Sequence, residues 1–184
     1  MNNLTFNIKK ILSIIACISK ESRAIGYHNR LLYHIQSDMT RFRELTTGHV
    51  IIMGRKTYES LPNGALPHRR NIVVSKSRKE LPDCEVYASL EEALAAVINE
   101  TGRDEAGTDH TNIDKECFII GGESIYSQAL PLADKLYLTI VDQEPEDADT
   151  FFPAINEEAW EVTEKEMRNE NDLTLTFLTL YRKQ

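Results

Sequence analysis

The stretch His49-Val50-Ile51-Ile52-Met53-Gly54-Arg55-Lys56-Thr57-Tyr58-Glu59-Ser60 passes from a continuous apolar run into a polar segment. A short, β-branched apolar run is typical of a buried strand, which predicts a strand over His49–Met53. Gly54 marks the end of that strand, and a helix is predicted over Arg55–Ser60. Because a strand that leads directly into a helix is the repeating unit of α/β proteins, this stretch sets the expected fold class.

The same alternation of strand and helix continues on both sides of that stretch. Further strands are predicted over Ile11–Ile18, Asn71–Val74, Glu85–Tyr87, Cys117–Ile120 and Lys135–Val141. Further helices are predicted over Ser37–Leu45, Leu90–Glu100 and Glu123–Leu130. Alternating strands and helices indicate an open, mostly parallel sheet with helices on both faces.

The end of the chain has a different character. Trp160–Met167 and Leu173–Tyr181 are extended runs joined by Arg168–Asp172, which predicts an antiparallel hairpin closing one edge of a mixed sheet. Earlier in the chain, Ser89 followed by Glu92 is a capping-box pattern that predicts the start of the third helix. The expected class is therefore α/β with a mixed sheet.

Composition indicates one globular domain. The chain has 184 residues, of which 41% are hydrophobic and 27% charged, and both values are ordinary for such a domain. No linker divides it, so we expect one domain over residues 11–183 after an N-terminal extension of residues 1–10. The polar segment Thr101–Asp114 lacks apolar periodicity and is expected to be a solvated loop insertion.

Charge and cysteine content exclude several partners. A formal net charge of −8 argues against nucleic acid or an anionic membrane as a general partner, since both are met by an excess of Lys and Arg. The apolar run Ile11–Ile18 is broken by Ser13 and is far shorter than the ~20 residues of a membrane span. Because the cysteines form no CxxC pair, we expect buried free thiols in the reducing cytoplasm and no metal site: Cys17, Cys84 and Cys117.

The helix predicted over Ser37–Leu45 carries a carboxylate on its apolar side. Spacing of about 100° per residue gives a stripe of Ile35, Met39, Phe42 and Leu45. Asp38 falls within this stripe, and no Lys or Arg is found in it. Because an ionised carboxylate in apolar surroundings is costly, such a residue has a dedicated partner or a raised pKa. The alternative interpretation is that Asp38 or Ser37 merely caps the helix.

Four blocks of sequence, in register, resemble the dihydrofolate reductase family. They are Ile25–Tyr33, Asp38 with Phe42, Val50–Leu61 and Ile119–Tyr126. The resemblance extends from about Ile11 to Arg182. It implies a single-domain fold with a mixed, mostly parallel eight-stranded sheet, about four flanking helices and an antiparallel C-terminal hairpin.

The resemblance implies hydride transfer from NADPH that reduces 7,8-dihydrofolate to 5,6,7,8-tetrahydrofolate for one-carbon metabolism, in a monomer that antifolate inhibitors bind. In the family, the acid matching Asp38 holds the pterin ring by paired hydrogen bonds, and it assists protonation of N5 through water. Thr139 matches a strand threonine that supports this carboxylate. Tyr33 and Leu32 stand where the family usually has Trp and Pro, and Tyr33 keeps a ring with a hydrogen-bonding tip.

The resemblance also implies the remaining substrate contacts. The apolar walls around the pterin and its aromatic tail are expected to be Ile15, Ala16, Ile35, Met39, Phe42, Leu61 and Ile120. Ordinary core packing is the alternative for each of them. Arg69 matches an arginine whose guanidinium fork binds the glutamate tail of folate, with a surface arginine as the alternative and Arg70 adjacent.

For the cofactor, the resemblance points to helix starts, glycines and a lid. The pyrophosphate and 2′-phosphate of NADPH are expected at Gly54, Arg55, Lys56, Thr57, Ser75 and Lys76. A second cofactor element follows the strand over Cys117–Ile120, where the family has a cis peptide between two glycines: Gly121, Gly122, Glu123, Ser124, Ile125 and Tyr126. The lid over the nicotinamide is expected to be Ile25–Leu32, and contacts are expected from Ala16, Ile25, Gly26 and Asn29.

Three other functions compete with this one. A reductase of the same fold acting on another heterocycle, such as the pyrimidine reductase of riboflavin synthesis, is disfavoured by the pairing of Asp38 with Phe42. A non-catalytic nucleotide-binding module would need no acid at that position. A structural or interaction protein has only the generic acidic surface in its favour.

Overall fold

The computed structural model describes residues 10–98 and 116–184. The loop predicted over 101–114, the predicted end of the third helix at Glu100 and residues 1–9 of the predicted extension lie outside these ranges. In chain order the described strands and α-helices are β1 (Leu12–Ser19), β2 (Ala24–Tyr27), β3 (Arg30–Leu31), α1 (Gln36–Thr46), β4 (Val50–Gly54), α2 (Arg55–Ser60), β5 (Arg70–Val74), β6 (Glu85–Tyr87), α3 (Leu90–Ile98), β7 (Cys117–Gly121), α4 (Glu123–Ala129), β8 (Lys135–Val141), β9 (Thr150–Phe151), β10 (Trp160–Glu170) and β11 (Leu173–Arg182). A short 3₁₀ helix, Glu157–Ala159, precedes β10.

Eight of the strands form one sheet in the order β10-β11-β8-β1-β7-β4-β5-β6. The strands from β8 to β6 in that order are all parallel, whereas β11 is antiparallel to β8 and to β10. The predicted mixed, mostly parallel sheet with an antiparallel C-terminal hairpin is therefore confirmed. The chain returns to insert β7 between β1 and β4, so the carboxyl ends of these three strands are neighbours.

Helices cover both faces of the sheet because the parallel strands are apolar on both faces. Neighbouring residues of a strand point to opposite faces, and Ile14 and Ile15 of β1 accordingly belong to different core clusters. The cluster of Ile14 includes buried residues of α3 and α4, such as Leu90 and Ile125. The cluster of Ile15 includes Tyr58 of α2, and the apolar side of α1 packs against it.

The C-terminal hairpin has a tighter turn than predicted. β10 continues to Glu170 and pairs from there with Leu173, so that Asn171 and Asp172 alone form the turn. Both turn residues have positive φ, 52° and 62°, as in the two-residue turns that match the twist of a hairpin. The predicted connection over Arg168–Asp172 is wrong because its first polar residues belong to a solvent-exposed strand rather than to a loop.

A second sheet of three short strands, ordered β3-β2-β9, was not predicted. β2 and β3 form a hairpin whose turn residues His28 and Asn29 have φ of 48° and 60°. β9 pairs with the other side of β2. Strands of two and four residues are too short for the apolar alternation on which strand prediction depends. Most of the predicted lid Ile25–Leu32 is therefore a paired hairpin.

The capping box predicted for α3 is confirmed in part. The hydroxyl of Ser89 accepts a hydrogen bond from the backbone N–H of Glu92 at 3.2 Å, as expected for an N-cap. The Glu92 carboxylate accepts from the backbone N–H of Ala88 instead of that of Ser89. The second hydrogen bond of the box therefore comes from the residue before the N-cap instead of from the N-cap itself.

The cysteines are free, as predicted, but they are not all buried. Cys117 is buried in β7, whereas Cys17 and Cys84 are partly exposed. Cys17 lies on the side of β1 that faces α1, and α1 itself covers the sheet incompletely, with Thr46 as its one fully buried residue. Across the described ranges, no helix is long and apolar enough to cross a membrane.

Candidate active site

Asp38 lies in the first turn of α1, and its carboxylate forms a hydrogen bond with the side chain of Thr139. Thr139 is 2% exposed in the middle of β8, opposite Cys17 of β1. Burial raises the pKa of the Asp38 carboxyl above its usual range, and the charge of Glu170 acts in the same direction. The hydrogen bond with Thr139 and the charge of Arg41 oppose that shift. Asp38 therefore retains its proton to a higher pH than an exposed aspartate.

The N-terminus of α1 is capped from another element. The backbone N–H groups of Gln36 and Ser37 donate to the two carboxylate oxygens of Glu170, at 2.8 and 3.2 Å. Glu170 ends β10, and its negative charge also complements the positive end of the helix dipole. The alternative in which Asp38 or Ser37 caps the helix is therefore wrong, and the Asp38 carboxylate faces the sheet.

A cation that lies outside the apolar stripe also acts on Asp38. Arg41 follows Asp38 by three residues, and its charge lowers the pKa of the Asp38 carboxyl. Residues three apart are neighbours on a helix surface, so Arg41 borders the same stripe. This spacing is readable in the sequence, whereas the capping by Glu170 depends on contact between distant segments.

The predicted apolar wall residues occupy three kinds of position. Those packed in or against the cluster on the α1 and α2 face are Ile15, Phe42, Leu61 and Ile120. Ile35 is buried in a neighbouring cluster with Phe177, and Ala16 is buried on the opposite face of the sheet. Met39 is 44% exposed and belongs to none of these clusters, so its side chain is accessible to a ligand.

Tyr33 has its ring in an apolar cluster and its hydroxyl at a backbone oxygen. The ring packs against the cluster that contains Ile35 and Phe177. The hydroxyl donates to the backbone oxygen of Gln143 at 2.6 Å. Burial and the charge of Glu144 raise the pKa of Tyr33 to about 12, so the hydroxyl remains a hydrogen-bond donor at neutral pH.

Arg69 and Arg70 have different surroundings. Arg70 lies on β5 and contacts both carboxylate oxygens of Glu85, at 2.6 and 2.8 Å. Arg69 donates to the hydroxyl of Thr46 at 3.0 Å, which places its guanidinium at the C-terminal end of α1. Arg69 is therefore the member of the pair that borders the helix bearing Asp38.

Predicted cofactor residues converge at the carboxyl ends of β4 and β7. Gly54 and Gly121 end these strands, and the peptide bond between Gly121 and Gly122 is cis. A Cβ atom added to Gly121 or Gly122 would lie 3.4 or 3.3 Å from the hydroxyl oxygen of Thr57. Gly121 also has a φ of +125°, which L side chains rarely adopt. These glycines therefore form a backbone surface against which Thr57 packs.

The first turn of α4 extends this glycine surface. Ile125 and Tyr126 are buried, whereas Glu123 and Ser124 are exposed. The hydroxyl of Tyr126 donates to the backbone oxygen of Ile15 at 2.8 Å and so ties α4 to β1. Burial raises the pKa of Tyr126, and its hydroxyl therefore stays protonated.

The predicted phosphate contacts lie at the ends of β4 and β5. Arg55 contacts both carboxylate oxygens of Glu59 at 2.7 Å, one turn along α2. Ser75 is buried, and its hydroxyl accepts from the backbone N–H of Arg78 at 3.0 Å. The exposed basic side chains here are Lys56, Lys76, Arg78 and Lys79. Arg78 was not predicted, although it is separated from Lys76 by a single residue.

The lid residues belong to the β2–β3 hairpin. A Cβ added to Gly26 would lie 3.1 Å from the backbone oxygen of Arg30 across that hairpin, so a glycine allows the two strands to approach. Ile25 packs against the main core cluster, whereas Asn29 is exposed at the turn. The hairpin is therefore anchored at its base and exposed at its tip.

A groove of about 680 Å³ lies between α1 and strands β10 and β11. Its lining is strongly charged and includes Arg41, Glu164, Glu166 and Arg168. It borders the Asp38 site through Arg41. In the described part of the chain, no group of three or more His, Cys, Asp or Glu side chains is placed to bind a metal.

Parallel strands that end beside glycines and helix starts define the class of α/β proteins that bind ligands at the carboxyl ends of their strands. A sequence model of the dihydrofolate reductase family matches residues 11–182. This chain therefore belongs to the dihydrofolate reductase family, as its sequence motifs predicted.

Individual relatives cover most of the chain. The dihydrofolate reductase of Neisseria meningitidis serogroup A is 42% identical over 160 residues, which are 86% of this chain and 88% of that protein. The dihydrofolate reductase of Haemophilus influenzae is 39% identical over 165 residues, 88% of this chain and 93% of that protein. Dihydrofolate reductase type 3 of Salmonella typhimurium is 34% identical over 178 residues, 95% of this chain and 99% of that protein.

Proposed function

We propose that this protein catalyses the reduction of 7,8-dihydrofolate to 5,6,7,8-tetrahydrofolate by NADPH. The observation that carries the proposal is the position of Asp38 in the first turn of α1, where its carboxyl is hydrogen-bonded with the buried Thr139 of β8. Membership of the dihydrofolate reductase family supports the same reaction. We also propose that residues 11–183 form one domain that acts as a monomer, and the free thiols support the reducing cytoplasm as its compartment.

In the proposed reaction Asp38 orients the pterin and assists its protonation. A carboxylate offers two acceptor oxygens, which suit the neighbouring ring N–H and amino groups of a pterin. Thr139 holds the carboxylate from β8. Because its pKa is raised, Asp38 keeps its proton to a higher pH than an exposed aspartate, which favours transfer of that proton to N5 through water, the role of a general acid. Tyr33 contributes ring surface near this position.

The remaining substrate contacts follow from the shape of the same region. Met39 is exposed beside Asp38, and Phe42 is half-buried one turn further along α1. These residues, with Ile15, Ile35, Leu61 and Ile120, are proposed to enclose the pterin and its aromatic tail, and Ala16, whose side chain is buried on the opposite face of the sheet, is proposed to contribute through its backbone. Arg69 at the C-terminal end of α1 is proposed to bind the glutamate carboxylate of folate.

The glycine surface fits a dinucleotide cofactor. A Cβ at Gly121 or Gly122 would crowd Thr57, and the bare backbone there allows a ligand to approach closely. When bound, NADPH supplies a hydride to the pterin. The residues proposed to hold its phosphates and nicotinamide are Gly54, Arg55, Lys56, Thr57, Ser75, Lys76, Gly121, Gly122, Glu123, Ser124, Ile125 and Tyr126, with the lid residues Ile25, Gly26 and Asn29 excluding water when closed.

The decisive experiment mixes the purified protein with 7,8-dihydrofolate and NADPH and follows the loss of reduced-nicotinamide absorbance. Turnover that requires both compounds is expected, and it should be blocked by an antifolate inhibitor. Tight NADPH binding without turnover would favour the non-catalytic nucleotide-binding module. Turnover with a riboflavin-pathway pyrimidine in place of dihydrofolate would favour the related reductase. Light scattering at assay concentration tests the monomer.

A further inference from the structure

Arg41 extends from α1 to β8, the strand that carries Thr139, and to the neighbouring strand β11. Its guanidinium donates to the backbone oxygen of Leu138 at 3.3 Å and to that of Leu178 at 3.1 Å. It also donates to the hydroxyl of Thr179 at 3.3 Å. Leu138 and Leu178 are paired across β8 and β11, so one side chain ties α1 to both strands.

The aromatic residues that precede Leu138 and Leu178 in their strands also contact the Arg41 guanidinium. The guanidinium lies 5.5 Å from the ring centroid of Tyr137 and 5.3 Å from that of Phe177, within cation–π range. Phe177 is the cross-strand partner of Thr139. Arg41 therefore contacts the two residues before Thr139 in β8 as well as the residue opposite it.

The positive charge of Arg41 is not cancelled by a direct ion pair within the described ranges. Its hydrogen bonds are to uncharged oxygens, while the carboxylates of Asp38, Glu164 and Glu166 act on it from a greater distance. The guanidinium stays charged even though burial lowers its pKa, because its ordinary pKa is so high. Its field therefore reaches the Asp38 carboxyl.

Several other groups face Asp38 from the elements packed around it. Glu170 of β10 raises the pKa of Asp38, and the hydrogen bond with Thr139 of β8 lowers it. Burial raises the pKa values of the Cys17 thiol of β1 and the Tyr126 hydroxyl of α4, and the charge of Asp38 raises them further, so both groups stay neutral. Arg41 is thus the one cation, among the described residues, that acts on this carboxyl.

We infer that Arg41 is a positioning residue for Asp38. Arg41 fixes the strand segment that carries Thr139, and it sets the pH range in which Asp38 supplies its proton. This inference rests on the proposed reduction of dihydrofolate. Proton supply by a carboxyl declines once the pH exceeds the pKa of that carboxyl. Because Arg41 favours the ionised form, removing its charge should extend activity to higher pH.

The test compares the pH dependence of the hydride-transfer rate in wild type, Arg41→Gln and Arg41→Lys. A nearby positive charge lowers the pKa of a carboxyl, so the alkaline limb of Arg41→Gln should move to higher pH than that of wild type. Arg41→Lys keeps the charge but not the fork, and its limb should stay close to that of wild type. Arg41→Met, which keeps the aliphatic stem between the rings, replaces Arg41→Gln if the latter does not fold.

A second measurement does not depend on turnover. The carboxyl carbon of Asp38, labelled with ¹³C and assigned with Asp38→Asn, is titrated by NMR in the same variants without ligands, and the same upward shift is expected. Arg168→Gln is the matched control, because Arg168 lines the same groove and stacks on the same Phe177 ring, 5.5 Å from its centroid. Its titration should match that of wild type.

The outcomes separate the two proposals. Absence of turnover in wild type would overturn the proposed reaction, while the NMR titration would still test Arg41. Turnover in wild type with an unchanged alkaline limb and an unchanged Asp38 titration in Arg41→Gln would overturn the inference. An equal shift in Arg41→Lys, or in Arg168→Gln, would also overturn it, because the effect would then not follow the charge at position 41.

Discussion

At the residue scale, the surroundings of Asp38 act on both of its protonation states. Burial favours its neutral form, whereas Thr139 and Arg41 favour the carboxylate. A neutral carboxyl is a proton donor, and a carboxylate is the better acceptor for paired ring N–H groups. The balance of these contacts therefore decides how much of each form is present near neutral pH.

Replacing Asp38 tests this assignment directly. Asp38→Asn keeps the shape of the side chain but has no proton to supply, and turnover should fall by about 10²–10⁴-fold, the usual contribution of a proton-transfer group. NADPH affinity, measured by fluorescence titration, should be preserved because Asp38 is on α1 and the glycine surface is formed by β4, β7 and α4. Near-normal turnover in Asp38→Asn would contradict the role.

Arg55 tests the choice of cofactor. Arg55→Ala should reduce the preference for NADPH over NADH by about tenfold or more, since a hydrogen bond to a charged group is worth about 1.5–3 kcal/mol. Arg55 pairs with Glu59, so Glu59→Gln should leave the preference intact or increase it. The ratio of kcat/KM values for the two cofactors is the measurement. An unchanged ratio in Arg55→Ala would move the phosphate site away from α2.

Sequence reasoning at this scale identified the acid but not its neighbours. Asp38 stands out because a carboxylate interrupts an apolar stripe, which is a local pattern. Arg41 lies three residues after Asp38 but outside the apolar stripe, so the stripe pattern did not assign it to Asp38. Glu170 lies 133 residues from the Ser37 N–H that it accepts, and no local pattern indicates that contact.

At the element scale, the close approach of α2 to the end of β7 depends on glycine. Gly121→Ala should lower the melting temperature and weaken NADPH binding, because φ is +125° and the new Cβ meets Thr57 at 3.4 Å. Gly48→Ala is the matched control, since Gly48 also has positive φ, +83°, but nothing lies within 4 Å of its Cβ. That variant should lose about 1 kcal/mol of stability and keep its NADPH affinity. Equal affinity in both variants would exclude a cofactor contact at Gly121.

The cap of α1 makes a second prediction for an element. Glu170→Gln removes the charge that accepts the N–H groups of Gln36 and Ser37, so the melting temperature should fall at neutral pH. Hydrogen bonding lowers the pKa of Glu170, so wild type should lose this stabilisation on acidification, and the two proteins should converge at low pH. Glu166→Gln, on the same strand but paired with exposed Arg168, is the control and should change little. A variant as stable as wild type at neutral pH would contradict the cap.

Strands of the main sheet with an apolar signal were predicted well, including the three-residue strand Glu85–Tyr87, whereas the strands of the lid hairpin were not predicted as strands. Lys135–Val141 has the predicted bounds because a β-branched run buried on both faces leaves a clear apolar signal. The strands of the lid hairpin are held by pairing with β9 and by left-handed φ at His28 and Asn29, which an apolar pattern does not encode. The same applies to the tight turn at Asn171 and Asp172.

At the scale of the whole molecule, the buried acid costs stability. The folded-state pKa of Asp38 is raised above the ordinary value of about 3.9, so the folded protein binds a proton that the unfolded chain releases. Wild-type stability therefore falls as the pH rises through the interval between these two pKa values, and the loss is complete above the upper one. Each unit of that interval is worth about 1.4 kcal/mol.

The matching prediction uses the melting temperature across pH. The difference between Asp38→Asn and wild type should increase in favour of the variant as the pH rises through that interval, and then become constant. Asp142→Asn, which removes an exposed carboxylate paired with Lys20, controls for the loss of a charge. A difference that does not vary with pH would mean that Asp38 ionises as easily in the folded protein as in the unfolded chain.

The type of sheet can be predicted from the sequence, whereas the order of its strands cannot. Alternation of strands and helices indicates a mostly parallel sheet, but it does not indicate the strand order. The insertion of β7 between β1 and β4 depends on pairing between segments such as Leu12 and Cys117, which lie far apart in the chain. The expected eight strands came with the family resemblance, whereas the order itself comes from the structure.

The long strand β10 forms one edge of the main sheet, and it is exposed along most of its length. An open edge offers unpaired backbone groups to the strands of other molecules, which is a common start of aggregation. Here that edge carries Glu161, Glu164, Lys165, Glu166, Arg168 and Glu170, while the opposite edge, β6, is only three residues long. The charges that surround the groove beside Arg41 therefore also keep copies of the protein from joining edge to edge in a crowded solution.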